Sequence, residues 1–257
     1  MYQNQGLLGV LSLLVAIVIG GIAHAQSPEE RGLAIAQKAE GLTDRYNDLT
    51  ADGKMVLNAG GGQSVREFSY KAQNISGGNQ SVLVFSWPGD IRDTGLLTIS
   101  SAGRSDDQWI FLPAARRVKR ISSSSRSGSF VGSEFAYEDM VDQDLNDFSY
   151  LWVREEGCCD VVERYPTYAS GYEKQVVWYS KSSGLPQQIE YYPKRGNKSK
   201  VLKISGYRNY GSVWRPSQMM MSNLLTGRST SLSWNNYRFN IGLGSGDFTT
   251  RALERGR

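Results

Sequence analysis

The stretch Leu49–Gln73, LTADGKMVLNAGGGQSVREFSYKAQ, decides the fold class. Met55, Leu57 and Ala59 alternate with Lys54 and Asn58; beyond Gly60-Gly61-Gly62, Phe68, Tyr70 and Ala72 alternate with Glu67, Ser69, Lys71 and Gln73. A period of two sends successive side chains to opposite faces, so these are two antiparallel strands with one wet face, joined by a glycine turn. Further apolar or alternating runs follow at 82–87, 96–100, 109–112, 148–153, 161–165, 176–179, 189–192, 201–204, 213–221 and 230–239. Gly77-Gly78, Pro88-Gly89, Ala102-Gly103, Ser183-Gly184, Arg195-Gly196-Asn197 and Thr226-Gly227 punctuate them. About a dozen strands in one chain point to a mainly β protein with few helices, built on one large curled sheet.

Upstream of the strands, Ser27-Pro28-Glu29-Glu30 combines an N-cap serine, proline at the first helical position and a glutamate that closes a capping box. Ile35, Ala39, Leu42 and Tyr46 recur at helical spacing, which predicts one amphipathic helix of about five turns. Residues 1–25 carry no Asp, Glu, Lys or Arg and hold an apolar run, Leu7 to Ala23, before Ala23-His24-Ala25. That pattern reads as a signal peptide cut before Gln26, which leaves 26–257 as a single exported domain; an uncleaved anchor is the competing reading. Between Pro113 and Asp147 the alternation lapses. Arg116, Arg117, Lys119 and Arg120 lead into serines and then an acidic stretch from Glu134 to Asp147, with a short helical piece expected near 137–143. The acidic stretch is expected to be a solvated face, pairing back to Arg116–Arg120.

The chain has 257 residues, 40% of them hydrophobic, and a formal net charge of +4. Such an excess is too small for a nucleic-acid footprint and suits transient contact with an anionic membrane surface. The single histidine, His24, lies in the leader, so the exported part lacks the usual base of serine hydrolases, and no Gly-x-Ser-x-Gly elbow is present. The run from Asp142 fails as a calcium loop, with Asp147 at position six and Val153 at position twelve. No cofactor or metal is expected. The two cysteines are the neighbours Cys158 and Cys159, whose Cα atoms stand about 3.8 Å apart, below the usual disulfide range. They are expected to be one buried thiol and one near the surface, with a redox switch as the alternative.

All six tryptophans lie downstream of the leader, and Met219-Met220-Met221 adds soft gap-fillers. A curled sheet of this size has an inner face too large for its own side chains to fill, so it is either plugged or holds a ligand. Strand phase nominates Phe68, Tyr70, Phe85, Trp87, Trp109, Phe111, Trp178, Tyr191, Met219, Met221 and Trp234 as the lining of an apolar cavity.

Three ordered segments carry a family resemblance: Trp109-Ile110-Phe111-Leu112-Pro113, then Arg117-Val118-Lys119-Arg120-Ile121, then Gly128 to Phe135 with Tyr137-Glu138-Asp139-Met140. Together with the opening helix, Phe85-x-x-Pro88, Gly184-Leu185-Pro186 and the closing Phe248–Leu253, the sequence resembles the outer-membrane lipoprotein-sorting protein family, LolA-like periplasmic proteins often associated with resistance-nodulation-division transporters. Glu134 stands where the pattern leads us to expect Asp, and the adjacent cysteines are foreign to it.

The resemblance implies a LolA/LolB-like fold: a strongly curved antiparallel sheet, a half-open unclosed barrel, with a helical lid over its concave apolar face. It implies a monomeric, non-enzymatic carrier of lipid or lipoprotein acyl chains through the periplasm towards the outer membrane. Pro113, Arg117, Arg120, Phe130, Gly132, Ser133, Phe135, Tyr137 and Asp139 fall in the motif as lid or docking segment, and Arg66 is the candidate for the arginine that ties sheet to lid. The alternative is an accessory subunit that docks to an inner-membrane transporter through Arg116–Arg120 and the acidic stretch. A transmembrane β-barrel and an enzyme rank behind both.

Overall fold

The computed structural model describes Met1, residues 26–101 and residues 104–255. The expected leader other than Met1, the Ala102-Gly103 turn and Arg257 lie outside the described residues. Helix α1 (Pro28–Thr43) opens the domain. Its start is set as the sequence predicts: the Glu30 amide donates to Ser27 Oγ at 3.1 Å, and the Ser27 amide donates to Glu30 Oε2 at 2.9 Å.

Strands β1 (Asp48–Ala59), β2 (Gly62–Ile75), β3 (Gly78–Trp87), β4 (Gly95–Ser101), β5 (Asp107–Leu112) and β6 (Arg117–Arg120) then run outward by successive antiparallel pairing. The first hairpin turns on Gly60 and Gly61, both at positive φ, between the paired Ala59 and Gly62. Positive φ at both central residues is what a two-residue turn matched to strand twist requires, and glycine supplies it without steric cost.

The chain next crosses to the far side of the sheet and builds β7 (Phe148–Glu156), β8 (Cys159–Pro166), β9 (Tyr172–Ser180), β10 (Pro186–Pro193) and β11 (Lys200–Ser205) inward. After a two-stranded excursion, β12 (Arg208–Asn209) with β13 (Trp214–Arg215), strands β14 (Gln218–Asn223) and β15 (Ser229–Phe239) close back beside β1. The result is a 13-stranded antiparallel sheet in the order β6-β5-β4-β3-β2-β1-β15-β14-β11-β10-β9-β8-β7. The two ends, β6 and β7, do not pair with one another, so the curved sheet stays an open half-barrel.

Because the open edges β6 and β7 are consecutive in sequence, residues 121–147 must travel from one edge to the other. They do so across the concave face as a strap with only short 3₁₀ pieces, among them Ser123–Ser125, Tyr137–Met140 and Leu145–Asp147. The piece expected near 137–143 is therefore one 3₁₀ turn. Phe130, Phe135 and Ala136 of the strap are each 1% exposed. Phe130 and Phe135 join Met55, Phe68, Leu83, Phe85, Val177, Tyr191, Leu202, Met221 and Leu232 from the sheet in the inner core.

A second core lies on the outer face: Val82, Val84, Leu97 and Phe111 pack against Phe248 and Leu253, the latter in the closing helix α2 (Thr250–Arg255). Both faces of β3–β5 are therefore buried, which explains their nearly continuous apolar sequence.

Two expectations are corrected. The run at 213–221 is not one strand, since Pro216 separates β13 from β14. The two cysteines form a disulfide with each other rather than standing as separate thiols. Only Cys159 (2% exposed) belongs to β8; Cys158 follows Gly157 (φ +57°) in the β7–β8 turn, so strand alternation does not hold their side chains apart.

Helix α1 docks on the β7 end of the inner face through Ala36 and Ala39. A methyl group at Gly32 would meet the Trp152 backbone nitrogen at 2.8 Å and Leu151 backbone atoms at 3.0–3.1 Å. Gly32→Ala raises intrinsic helix propensity by about 1 kcal/mol, yet is expected to destabilise the protein by roughly 1–3 kcal/mol through the backbone shift it forces. Urea denaturation checks the sign, and a stabilised variant would show that α1 is not seated on β7.

Candidate functional site

Between the concave face and the strap lies a cavity of about 230 Å³. Its sheet side is made by Tyr70 of β2, Ile204 of β11, Met219 of β14, Leu232, Trp234 and Tyr237 of β15, with Leu49 of β1 at one end. Its roof is Phe135, Asp139, Met140, Val141 and Asp142 of the strap, and Arg215 and Pro216 close one wall. A second chamber of about 230 Å³, polar in character, is lined by Glu40 and Asp44 from α1 and by Asn79, Asp142, Asp144, Arg164 and Arg215. Thr43, Asp142 and Arg215 border both chambers.

The strap is held down at many points. Arg66 Nη1 on β2 donates to the Val131 carbonyl, and its guanidinium carbon lies 6.0 Å from the Phe85 ring centre. Val131 and Gly132 both have positive φ, which turns the strap tip and leaves that carbonyl free to accept. Phe130 stacks on Phe85 at 5.9 Å. The Glu134 amide donates to Thr230 Oγ1 at 3.0 Å, while the Glu134 carboxylate accepts from Asn223 Nδ2 at 2.7 Å and pairs with Arg228 at 3.3 Å. Gln108, fully buried on β5, donates through Nε2 to the Tyr137 carbonyl at 2.9 Å. Ser133 is 3% exposed and donates through Oγ to the Phe135 carbonyl.

Of the residues nominated from strand phase, Phe68, Tyr70, Phe85, Tyr191, Met219, Met221 and Trp234 come together on the inner face. Four do not. Trp109 and Phe111 belong to the outer core beneath α2. Trp178 lies between the inner-core residues Val177 and Tyr179 and so faces out, where it lines an open groove of about 770 Å³ with Cys158, Lys203 and Met220. Trp87 is 47% exposed at the end of β3, beyond the register shift between Glu67 and Phe68.

The acidic stretch is also not the solvated face expected. Glu134, Glu138 and Asp147 are below 10% exposed and the Asp139 side chain is 2% exposed; Glu134 pairs with Asn223 and Arg228, Glu138 with Gly171 and Asp139 with Lys200, rather than with Arg116–Arg120. Pro113 opens a 3₁₀ turn, and Arg117 and Arg120 sit exposed on β6. Charges along an unpaired edge strand keep other strands from adding to it, which accounts for the basic run.

Sequence reasoning missed the charged centre of the site. Arg215 lies on a two-residue strand, its guanidinium carbon 4.9 Å from the Tyr46 ring centre, and its Nε is buried with no hydrogen-bond partner. Asp142 Oδ2 accepts from the Tyr46 and Tyr70 hydroxyls, each at 3.4 Å. Burial raises the Glu40 and Asp44 carboxyls above their usual range, with neighbouring carboxylates adding to the effect. Asp139, in the roof, is held on one oxygen only. Oδ2 accepts from the Ala136 amide at 2.7 Å and the Tyr172 hydroxyl at 3.1 Å, with Lys200 Nζ at 3.7 Å, but buried Oδ1 has no partner. Burial pushes its carboxyl up to about 6, against the opposing pull of Lys200 and these hydrogen bonds.

A half-open antiparallel sheet with a strap across its concave face defines the fold class. A crystal structure of an outer-membrane lipoprotein-sorting protein domain from Vibrio parahaemolyticus matches at 37% identity with a TM-score of 0.85, covering 88% of this chain and all of that one. A DUF1329 family protein from Desulfovibrio piger matches at 30% identity and the same TM-score, covering 88% of this chain and 99% of that one. A LolA superfamily protein from Nitrosomonas europaea, at 18% identity, shares the fold with a TM-score of 0.71, over 86% of this chain and 98% of that one. A family model described as "Uncharacterized protein" matches residues 77–255. No curated protein matches. The chain belongs to the outer-membrane lipoprotein-sorting protein family, with the LolA-like fold.

Between pH 4 and 6 the folded protein holds a proton on Asp139 that the unfolded chain, near 3.8, has already released. Native protein then binds more protons than unfolded, so stability falls as pH rises through this window, by up to roughly 3 kcal/mol from this group. Asp139→Asn keeps the acceptor for Ala136 and is expected to flatten that part of the decline. Urea midpoints at pH 4.5 and pH 7 measure it, and an unchanged difference in the variant contradicts the assignment.

Proposed function

We propose that the protein is a periplasmic carrier that takes up the acyl chain of a lipid or lipoprotein beneath the strap and passes it towards the outer membrane, by capture rather than catalysis. The observation that carries this reading is the apolar cavity between Met219, Leu232 and Trp234 of the sheet and Phe135 and Met140 of the strap. Membership of a lipoprotein-sorting family supports it, and the leader of residues 1–25 supports export. Burying an acyl chain gains about 0.8 kcal/mol per CH₂, enough to hold it out of water yet reversible when the cover opens.

At about 230 Å³ the apolar chamber is smaller than a typical ligand pocket of roughly 300–1,000 Å³. Loading a long chain therefore requires the strap to lift or its side chains to part. Arg66, which joins β2 to the strap tip, is the contact whose release would begin that movement.

Detergent-free protein titrated with a fluorescent long-chain fatty acid is expected to bind it saturably. Met219→Trp, which fills the chamber, should weaken binding about tenfold, the loss of about 1.4 kcal/mol. Absence of any acyl uptake by the wild-type protein overturns the reading.

A further inference from the structure

The two chambers differ in chemistry, and the residues they share show how one ligand would occupy both. The first is lined mostly by aliphatic, thioether and aromatic groups, with Asp139, Asp142 and Arg215 at its roof and wall; the second gathers carboxylates from α1, its C-cap and the strap around Arg215 and Arg164. Arg215 stands at the junction, with a buried Nε that none of the described residues satisfies. The Tyr46 ring beneath it offers a face rather than an acceptor, and among the described residues Arg215 forms no ion pair with a carboxylate. A guanidinium that borders both chambers without a carboxylate partner is costly to leave unmatched, and an anion held in the cavity beside it would balance its charge. A second observation sits in the roof, where buried Asp139 Oδ1, in the wall of the apolar chamber, is likewise without a partner.

A purely anionic headgroup fits poorly, because Asp142 and Asp44 lie close enough to act electrostatically with Arg215, and Glu40 and Asp144 line the same polar chamber. These carboxylates would repel an anion and welcome a cation beside it. A diacylglyceryl anchor of a lipoprotein carries no charge where its chains join the backbone, and it would leave both signs unmatched.

Resting on the carrier reading above, we infer that the preferred ligand is a zwitterionic aminophospholipid of the phosphoethanolamine class. One acyl chain fills the apolar chamber, the phosphate accepts from Arg215 at the junction, and the ammonium reaches the carboxylates of Asp142, Asp44, Glu40 and Asp144. The match is of charge order along the cavity: chain, then anion, then cation.

The test is a titration of detergent-free protein, followed by Trp234 fluorescence or native mass spectrometry, with four probes of one chain length: lysophosphatidylethanolamine, lysophosphatidylglycerol, monoacylglycerol and a synthetic diacylglyceryl lipopeptide. The expected order places lysophosphatidylethanolamine tightest, by about tenfold over each of the others, equivalent to about 1.4 kcal/mol. Arg215→Gln should collapse its advantage over monoacylglycerol, and Arg215→Lys should recover part of it. Asp142→Asn should collapse its advantage over lysophosphatidylglycerol, which keeps the test alive should the Arg215 variants fold poorly. Binding of all four probes with equal affinity, or tightest binding of the lipopeptide, overturns the headgroup assignment while leaving the carrier reading intact. Binding of none overturns both.

Discussion

The strand order imposes the constraint on which the rest of the molecule depends. Strands β1 to β6 run outward to one edge, β7 starts at the opposite edge, and β15 returns to the centre beside β1. A chain with this order must carry residues 121–147 from edge to edge, and the apolar concave face gives that connection something to bury against. The strap is thus a consequence of topology, and its sequence supplies the anchors: Phe130 and Phe135 into the core, Arg66 onto the Val131 carbonyl, and Gln108 onto Tyr137. A closed barrel would need no such cover, and a shorter sheet would leave no space beneath it.

The same cover explains why so many acids lie inside. A long crossing segment has backbone amides and carbonyls that no sheet ladder satisfies, and side-chain carboxylates cap them. Asp139 caps the Ala136 amide, Asp147 caps Asp144, and Glu138 accepts from the Gly171 amide at 3.1 Å and from Ser170 at 2.6 Å. These are structural duties performed with charged groups, and burial beneath the strap, against the pull of the capping bond, leaves Asp139 with a raised proton affinity and one idle oxygen. Covering the sheet and furnishing a polar end to the cavity are therefore the same event. The apolar side chains and the charges of Arg215 and Asp142 thus line one continuous space beneath the strap.

Much of this was legible in the sequence, for physical reasons that also mark where legibility stops. The capped helix at Ser27, the two-residue turn at Gly60-Gly61 and the alternation of β1 and β2 are local effects, and local sequence determines them. Alternation placed Phe68 and Tyr70 on the inner face because the other side of β2 is polar, and Phe85 follows from its pairing opposite Phe68. It failed at Trp109 and Phe111 because β5 is buried on both sides, one under the strap and one under α2, and nothing in a continuous apolar run says which side is which. Trp178 sits among Val176, Val177 and Tyr179 with the same ambiguity. Strand β6 escaped notice because its residues are charged, as befits an exposed edge. Arg215 and its neighbours come together from α1, β2, β13, β15 and the strap, a meeting that no spacing encodes.

A carrier of this kind needs a strap that moves to admit an acyl chain and is held at rest by contacts such as Arg66 to Val131. Hydrogen–deuterium exchange of the backbone amides of residues 128–142, measured with and without a saturating long-chain fatty acid, tests it most directly. These amides are expected to exchange faster than those of β1 and β2 in the free protein, and a bound chain to change their protection while the strands keep theirs. Strap protection equal to that of the central strands, and unchanged with the chain bound, would contradict it.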